Sequence, residues 1–327
     1  MATPEPALHG LLIVDKPGLP AAPTSHDVVQ MVRRWSRQRR IGHTGTLDPM
    51  ASGVLVLCLG TATRLAEYYQ GHAKEYYAEI ELGAATDTYD AMGAVVDRRP
   101  VPDLDERRIQ EEMQRFRGPI LQRPPVYSAL KLDGESLHRR ARRGEQVEPA
   151  PRPVTIHRLD LIAFTPPDRL QIRLHCSAGT YVRSLAHDLG LALGTCAHLA
   201  LLRREGAGVF ALAGAHSLHH VHAAAEAGTL AALMLPLGAG LDLPKVHLPP
   251  EVARRLGYGQ MVTLPSSSPV DCPAWTSDAL VQGMDDDGRL LGILRCVGGE
   301  AGSDPQAAQP EDEPELLWKA EKWLVTG

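Results

Sequence analysis

A chain of 327 residues with 44% apolar and 22% charged side chains can bury a sizeable core and support a second, smaller domain. No apolar run approaches the roughly 18 residues of a membrane helix, and the opening MATPEPALHG lacks a basic and apolar leader, so a cytoplasmic protein outside the membrane is expected. The net charge of −5 hides a division, because residues 251–327 carry 6 Lys and Arg against 13 Asp and Glu and leave the remainder slightly basic.

In chain order, Gly10 to Asp15 reads as a short strand closed by Lys16-Pro17. Ser25 is placed to cap a helix whose apolar positions Val28, Val32 and Trp35 recur near helical spacing. That helix runs into Arg33, Arg34, Arg37, Arg39 and Arg40, a cluster able to neutralise phosphates. One such run is ordinarily a solvated face. A second at His138-Arg139-Arg140-Ala141-Arg142-Arg143, and the abutment of the first on a glycine loop, turn the reading toward nucleic acid.

The loop is Gly42-His43-Thr44-Gly45-Thr46-Leu47-Asp48-Pro49, followed by the apolar stretch Val54 to Leu59, which reads as a buried strand. Its two glycines permit backbone conformations closed to other residues, and Pro49 disfavours helix at Asp48. An Asp before Pro is commonly a turn residue, yet Asp48 has no neighbouring acid and is a candidate nucleophile.

Farther on, Thr61 begins a short helix through Tyr69, Lys74 to Leu82 reads as a strand, and Asp103 caps a helix carrying Ile109, Met113 and Phe116. Leu170, Ile172, Leu174 and Cys176 alternate with polar residues as in a half-buried strand, and Ser177-Ala178-Gly179 turns into a helix lined by Val182, Leu185, Leu189 and Leu193. This irregular mixture predicts an α+β domain over residues 1–243: a mixed, largely antiparallel sheet with flanking helices. Near Leu243 prolines punctuate a link, and short strand-like pieces (Met261 to Leu264, Leu280 to Gly283, Leu290 to Cys296) predict a small β-rich domain over 244–327. Its segment at about 298–315 reads as a flexible acidic insertion. The five cysteines include no C-x-x-C pair, and His219-His220-Val221-His222 offers at best two ligands, so no metal site is expected.

The stretch GHTGTLDPMASGVLVLCLGTATRL resembles the signature of the TruB-type tRNA pseudouridine synthases. Further matches follow in order: Lys74-Glu75-Tyr76, Gln122-Arg123-Pro124-Pro125-Val126-Tyr127-Ser128-Ala129-Leu130-Lys131, Gly179-Thr180-Tyr181-Val182-Arg183-Ser184 and Leu202-Arg203-Arg204. The resemblance implies the pseudouridine synthase fold with a PUA-like RNA-binding tail. It also implies isomerisation of uridine 55 in the tRNA T loop by base flipping, without metal or cofactor. The partner implied is the tRNA T stem-loop, met by a monomer without an obligatory protein partner.

By the same resemblance Asp48 is the catalytic carboxylate, and Arg183 is the cation that keeps its pKa low. Tyr76 stacks on the target base, Tyr181 and Leu202 line the pocket, and His43 enters the T loop in place of the flipped nucleotide. Arg37, Arg39, Arg40, Lys74, Lys131 and Arg142 are candidates for the RNA backbone. Leu137-His138 stands where family members commonly carry a tyrosine. The same chemistry on another RNA, and an RNA-binding or RNA-folding role with secondary catalysis, remain alternatives. Glycoside hydrolysis would want a second acid nearby, and the closest upstream is Asp15.

Overall fold

The structure, a computed structural model, describes residues 7–128, 131–132, 135–136, 143, 145, 149–265, 269–270, 278–299 and 315–325. Its larger part is a ten-stranded mixed sheet. The strands lie in the order His216–Ser217, Gly10–Lys16, Ser52–Leu59, Ala197–Ala207, Lys74–Leu82, Arg169–Cys176, Arg152–Thr165 and Gly118–Gln122, with Ile41–His43 and Phe210–Ala211 pairing to the side. His216–Ser217 runs parallel to Gly10–Lys16, and Ala197–Ala207 runs parallel to Ser52–Leu59; the other pairs are antiparallel. The expected α+β class therefore holds.

The apolar run Val54 to Leu59 is continuous because its strand is buried on both faces. Leu55, Leu57 and Leu59, with Leu12 and Val14 beside them, join a core that includes Val28, Val32, Leu185 and Leu189 of two helices. Val54, Val56 and Cys58, with Leu11 and Ile13, face the other way and pack with Leu290, Ile293 and Leu324 from the end of the chain. Each such side chain taken from water is worth about 1.5–3 kcal/mol, so both sides of this strand contribute to the stability of the larger unit.

Three helix starts differ from expectation. Thr24, not Ser25, caps Ser25–Ser36, in a reciprocal box with Asp27, because Thr24 has the extended backbone that a cap requires. Asp105, not Asp103, accepts from Arg108 N–H to cap Glu106–Gln114, and Phe116 lies beyond that helix. Thr61 sits inside a 3₁₀ turn, Gly60–Leu65, with its hydroxyl on His9, and the helix proper is Ala66–Gln70. The long strands Arg152–Thr165 and Ala197–Ala207 were not evident from periodicity, since both contain bulges that break the alternation.

A separate six-stranded sheet occupies the end of the chain, in the order Val262–Pro265, Glu315–Trp323, Leu290–Gly299, Leu280–Met284, Lys245–His247 and Pro269–Val270. It has its own core of Val246, Leu248, Leu256, Val281, Leu294 and Trp318, with the helix Pro250–Gly257 against it. Residues 298–299 and 315 belong to strands, and the rest of the expected acidic insertion lies outside the described residues. Of the basic residues here, Lys322 pairs with Glu67 across to the larger unit at 3.0 Å, and Arg295 pairs with Glu321 at 3.0 Å. Cys58, Cys176, Cys196 and Cys296 are buried free thiols, and Cys272 lies outside the described residues. Among the described residues no helix is long and apolar enough to cross a membrane.

Candidate active site

The loop that carries Asp48 leaves the strand Ile41–His43 and returns into Ser52–Leu59, and buried polar side chains hold its backbone. Ser25 Oγ accepts from Leu47 N–H at 2.8 Å and donates to Leu47 O at 3.1 Å. Lys16, fully buried, donates from Nζ to the carbonyls of Ala51, Pro49 and Pro17 at 2.6, 3.0 and 3.0 Å. Burial lowers the Lys16 ammonium to about 8. Arg204, also buried, donates to the carbonyls of Val54, Gly45 and Thr46 at 2.7, 3.2 and 3.4 Å. Buried cations thus satisfy the loop carbonyls that an irregular turn leaves without ladder partners.

The glycines act differently from expectation. Neither Gly42 nor Gly45 takes a positive φ, and a Cβ on Gly45 would meet nothing nearer than Arg204 Nη1 at 3.8 Å. Gly53, just past the loop, has φ +104°, and a Cβ there would lie 2.1 Å from Arg204 O. Only glycine lets the Arg204 strand come close enough to brace the loop.

Asp48 meets Arg183, which lies 5% exposed on the helix Val182–Ala192. Arg183 Nη2 donates to Asp48 Oδ1 at 3.0 Å, and Nε lies 2.8 Å from Oδ2. The same guanidinium donates to Thr88 O and Tyr127 O, each at 3.1 Å, and its Nη1 lies 3.4 Å from Asp90 Oδ2. Asp90 itself is buried and accepts from Thr88 Oγ1 at 2.7 Å and Met92 N–H at 3.0 Å. Arg183 acts on the Asp48 carboxyl in the lowering direction that the sequence reading expects, but burial acts the other way and outweighs it. Although 29% of the Asp48 side chain is open, desolvation raises its carboxyl above the usual range and Asp90 adds to the rise, while Arg183 limits it.

Asp48 and Arg183 open onto a cavity of about 440 Å³ that His43, Tyr76, Tyr181 and Leu202 also line. Tyr76, 9% exposed, is fixed on the strand Lys74–Leu82 opposite Leu174 and Arg204, and burial raises its phenol pKa. His43 is half-buried, and burial with Arg204 and His26 nearby lowers its imidazole below the ordinary range, which favours the neutral ring. Tyr181 is the N-cap of the Arg183 helix and supplies no side-chain cap. Instead the buried Gln122 grips its backbone, accepting from Tyr181 N–H at 2.7 Å and donating to Tyr181 O at 3.0 Å.

The proposed backbone contacts separate. Arg37, Arg39 and Arg40 are exposed beside Arg34, with Arg40 Nε on Thr63 Oγ1 at 2.7 Å. Lys74 is buried, its Nζ donates to the carbonyls of Gln70 and His72, and burial lowers it to about 8; it lines the same cavity as Asp48. Lys131 lies on a short strand, Lys131–Leu132, paired with Glu135–Ser136. Arg142 and Leu137-His138 lie outside the described residues. Sequence reasoning missed Lys16, Asp90, Gln122 and the brace by Arg204; for Lys16 and Arg204 the available signal was a charged residue set in an apolar strand run, and Asp90 and Gln122 carry no such signal.

The family model for the N-terminal domain of TruB family pseudouridylate synthases matches residues 33–182, and the one for the tRNA pseudouridylate synthase B C-terminal domain matches 183–242. The tRNA pseudouridine synthase B of Xanthomonas campestris pv. campestris (strain B100) is 43% identical over 288 residues, 86% of this chain and 92% of that protein. The chain belongs to the TruB family. Like other TruB family members it is a pseudouridine synthase, an isomerase. Another TruB relative, the tRNA pseudouridine synthase B of Opitutus terrae, is 47% identical over 223 residues, covering 68% of this chain and 91% of its own. The TruB fold is also matched by a solved Cbf5-Nop10-Gar1 complex, with TM-score 0.73, 26% identity, and 97% and 85% of the two chains covered.

Proposed function

We propose that the chain converts uridine to pseudouridine in tRNA, at position 55 of the T loop, with Asp48 as its one catalytic carboxylate. The observation that carries this reading is the Asp48–Arg183 pair opening onto a cavity whose walls include Tyr76 and Leu202. The names of relatives at 43–47% identity support tRNA as the substrate.

The reaction breaks the N1–C1′ bond, turns the base and joins C5 to C1′, with C5 losing its proton and N1 gaining one, so it needs a nucleophile or base and a place for the base to turn. Asp48, ionised, attacks C1′ or C6 or abstracts the 2′ proton. Arg183 keeps the carboxylate oriented and offsets its charge while the base excludes water. Tyr76 stacks on the flipped uracil, worth about 1–3 kcal/mol, which offsets part of the unstacking. The neutral His43 ring takes the vacated position in the T loop. Arg37, Arg39 and Arg40 hold phosphates leading into that loop.

We read residues 1–243 as the catalytic domain, residues 244–327 as a second domain, and the active species as a monomer. The test is Asp48→Asn with an isolated T stem-loop and with unrelated hairpins. Loss of pseudouridine in the variant, with wild-type turnover confined to the T stem-loop, is expected. Normal product from Asp48→Asn sinks the assignment of the carboxylate, and equal turnover of the unrelated hairpins sinks position 55.

A further inference from the structure

Three consecutive residues between the strands Ala84–Thr86 and Val95–Arg98 engage the helix Val182–Ala192. Thr88 O accepts from Arg183 Nη1 at 3.1 Å, and Asp90 Oδ2 lies 3.4 Å from the same nitrogen. Between them, Tyr89 stacks on His187, with ring centroids 4.0 Å apart and planes 12° from parallel. Arg183 and His187 are four residues apart and so neighbours on one helix face. The segment therefore holds two successive turns of the helix that carries the arginine.

The backbone of Tyr89 argues that its ring is there for a reason. Its φ is +62°, a region in which a bulky side chain is disfavoured and glycine or asparagine sits at less cost. Tyr89 N–H donates to Thr86 O at 3.2 Å, Tyr89 O accepts from Leu199 N–H at 3.0 Å, and Ala91 N–H donates to Leu199 O at 3.0 Å. The main chain is fixed without help from the side chain, which leaves the stack as the contribution of the ring. Neither Tyr89 nor His187 lines the cavity.

We infer that Tyr89 is a positioning residue: its stack on His187 sets the spacing between the Thr88–Asp90 segment and the helix, and so the angle at which Arg183 meets Asp48. The inference rests on the proposed roles of Asp48 and Arg183. It is tested by comparing Tyr89→Gly, Tyr89→Phe and His187→Leu with the wild type and Asp48→Asn on T stem-loop RNA. The side-chain Nε–H resonance of Arg183, assigned through Arg183→Lys, is followed in each protein.

Tyr89→Gly deletes the ring while relieving the backbone, so a merely structural ring predicts wild-type kcat. The expected result is kcat lower by about tenfold with KM within about twofold. The same loss in His187→Leu, recovery in Tyr89→Phe, and a displaced Arg183 resonance only in the two ring-deleting variants complete the expectation. Wild-type kcat with an unmoved resonance in both ring-deleting variants overturns it, and His187→Leu alone decides if Tyr89→Gly fails to fold. A wild type that forms no pseudouridine refutes the proposed function instead, and the Arg183 resonance then decides whether the stack positions the pair.

Discussion

Arg183 meets Asp48 with two nitrogens, Nη2 at 3.0 Å from Oδ1 and Nε at 2.8 Å from Oδ2, and still reaches Asp90 at 3.4 Å. One buried cation thus serves two carboxylates. Desolvation outweighs the attraction at Asp48, and the carboxylate has a raised pKa in the folded state.

The sign of that shift predicts a stability effect. A carboxyl whose folded pKa lies above its unfolded value opposes folding once pH exceeds the unfolded value, and that cost disappears as pH falls below both. Asp48→Asn therefore melts at the same or a higher temperature than wild type at neutral pH, and the difference shrinks toward acid pH. Arg183 keeps Asp90 as partner, so no buried charge is orphaned. The same variant loses at least about a thousandfold in kcat. Calorimetry across pH, with product assays, checks both.

Because Asp90 raises the Asp48 pKa, Asp90→Asn moves the acid limb of the pH–kcat profile to lower pH. An unmoved limb in single-turnover measurements contradicts the coupling.

Gly53→Ala places a Cβ 2.1 Å from Arg204 O in a φ that alanine resists. Loss of at least about 3 kcal/mol of stability, or failure to fold, is expected, because the strand that braces the loop must move. Gly45→Ala has room, so denaturant melts of the two variants separate steric need from open space.

Arg37→Ala with Arg39→Ala weakens RNA binding and reduces the log–log salt slope by about 1–2. Lys74→Met leaves that slope unchanged, because its ammonium already binds two carbonyls. Binding titrations over a salt series distinguish the two.

Removing residues 244–327 takes Leu290, Ile293 and Leu324 away from Leu11, Ile13, Val54, Val56 and Cys58, one apolar face of the strand that follows the Asp48 loop and of its neighbour. The truncated chain is expected to bind a hydrophobic dye and to melt broadly. Exposed Arg254→Ala, by contrast, changes T stem-loop affinity by less than about twofold. A sharp melt and full activity in the truncated chain show that the second sheet is dispensable as a cover.

Much was legible in the order of residues. Two-residue and 3.6-residue periods marked the Arg169–Cys176 strand and the Arg183 helix, and the linear motifs named Asp48, His43, Tyr76, Tyr181, Arg183 and Leu202, which the fold brings to one cavity. Capping was misjudged by one or two residues at Ser25 and Asp103, because neighbouring residues of similar chemistry compete and backbone angle decides. The carbonyl partners of Lys74 were not legible, because a lysine in sequence does not disclose whether its ammonium meets solvent or carbonyls.

The sequence by itself determined the α+β class, the family and which side chains gather at the site, since these follow from local periodicity and contiguous motifs. Only the tertiary structure decided the charge state tendency of Asp48, the bracing of its loop by Lys16, Ser25 and Arg204, and the sharing of Arg183 with Asp90. Those depend on burial and on partners up to 159 positions away in the chain, and desolvation and Coulomb energy act through space and not along the sequence.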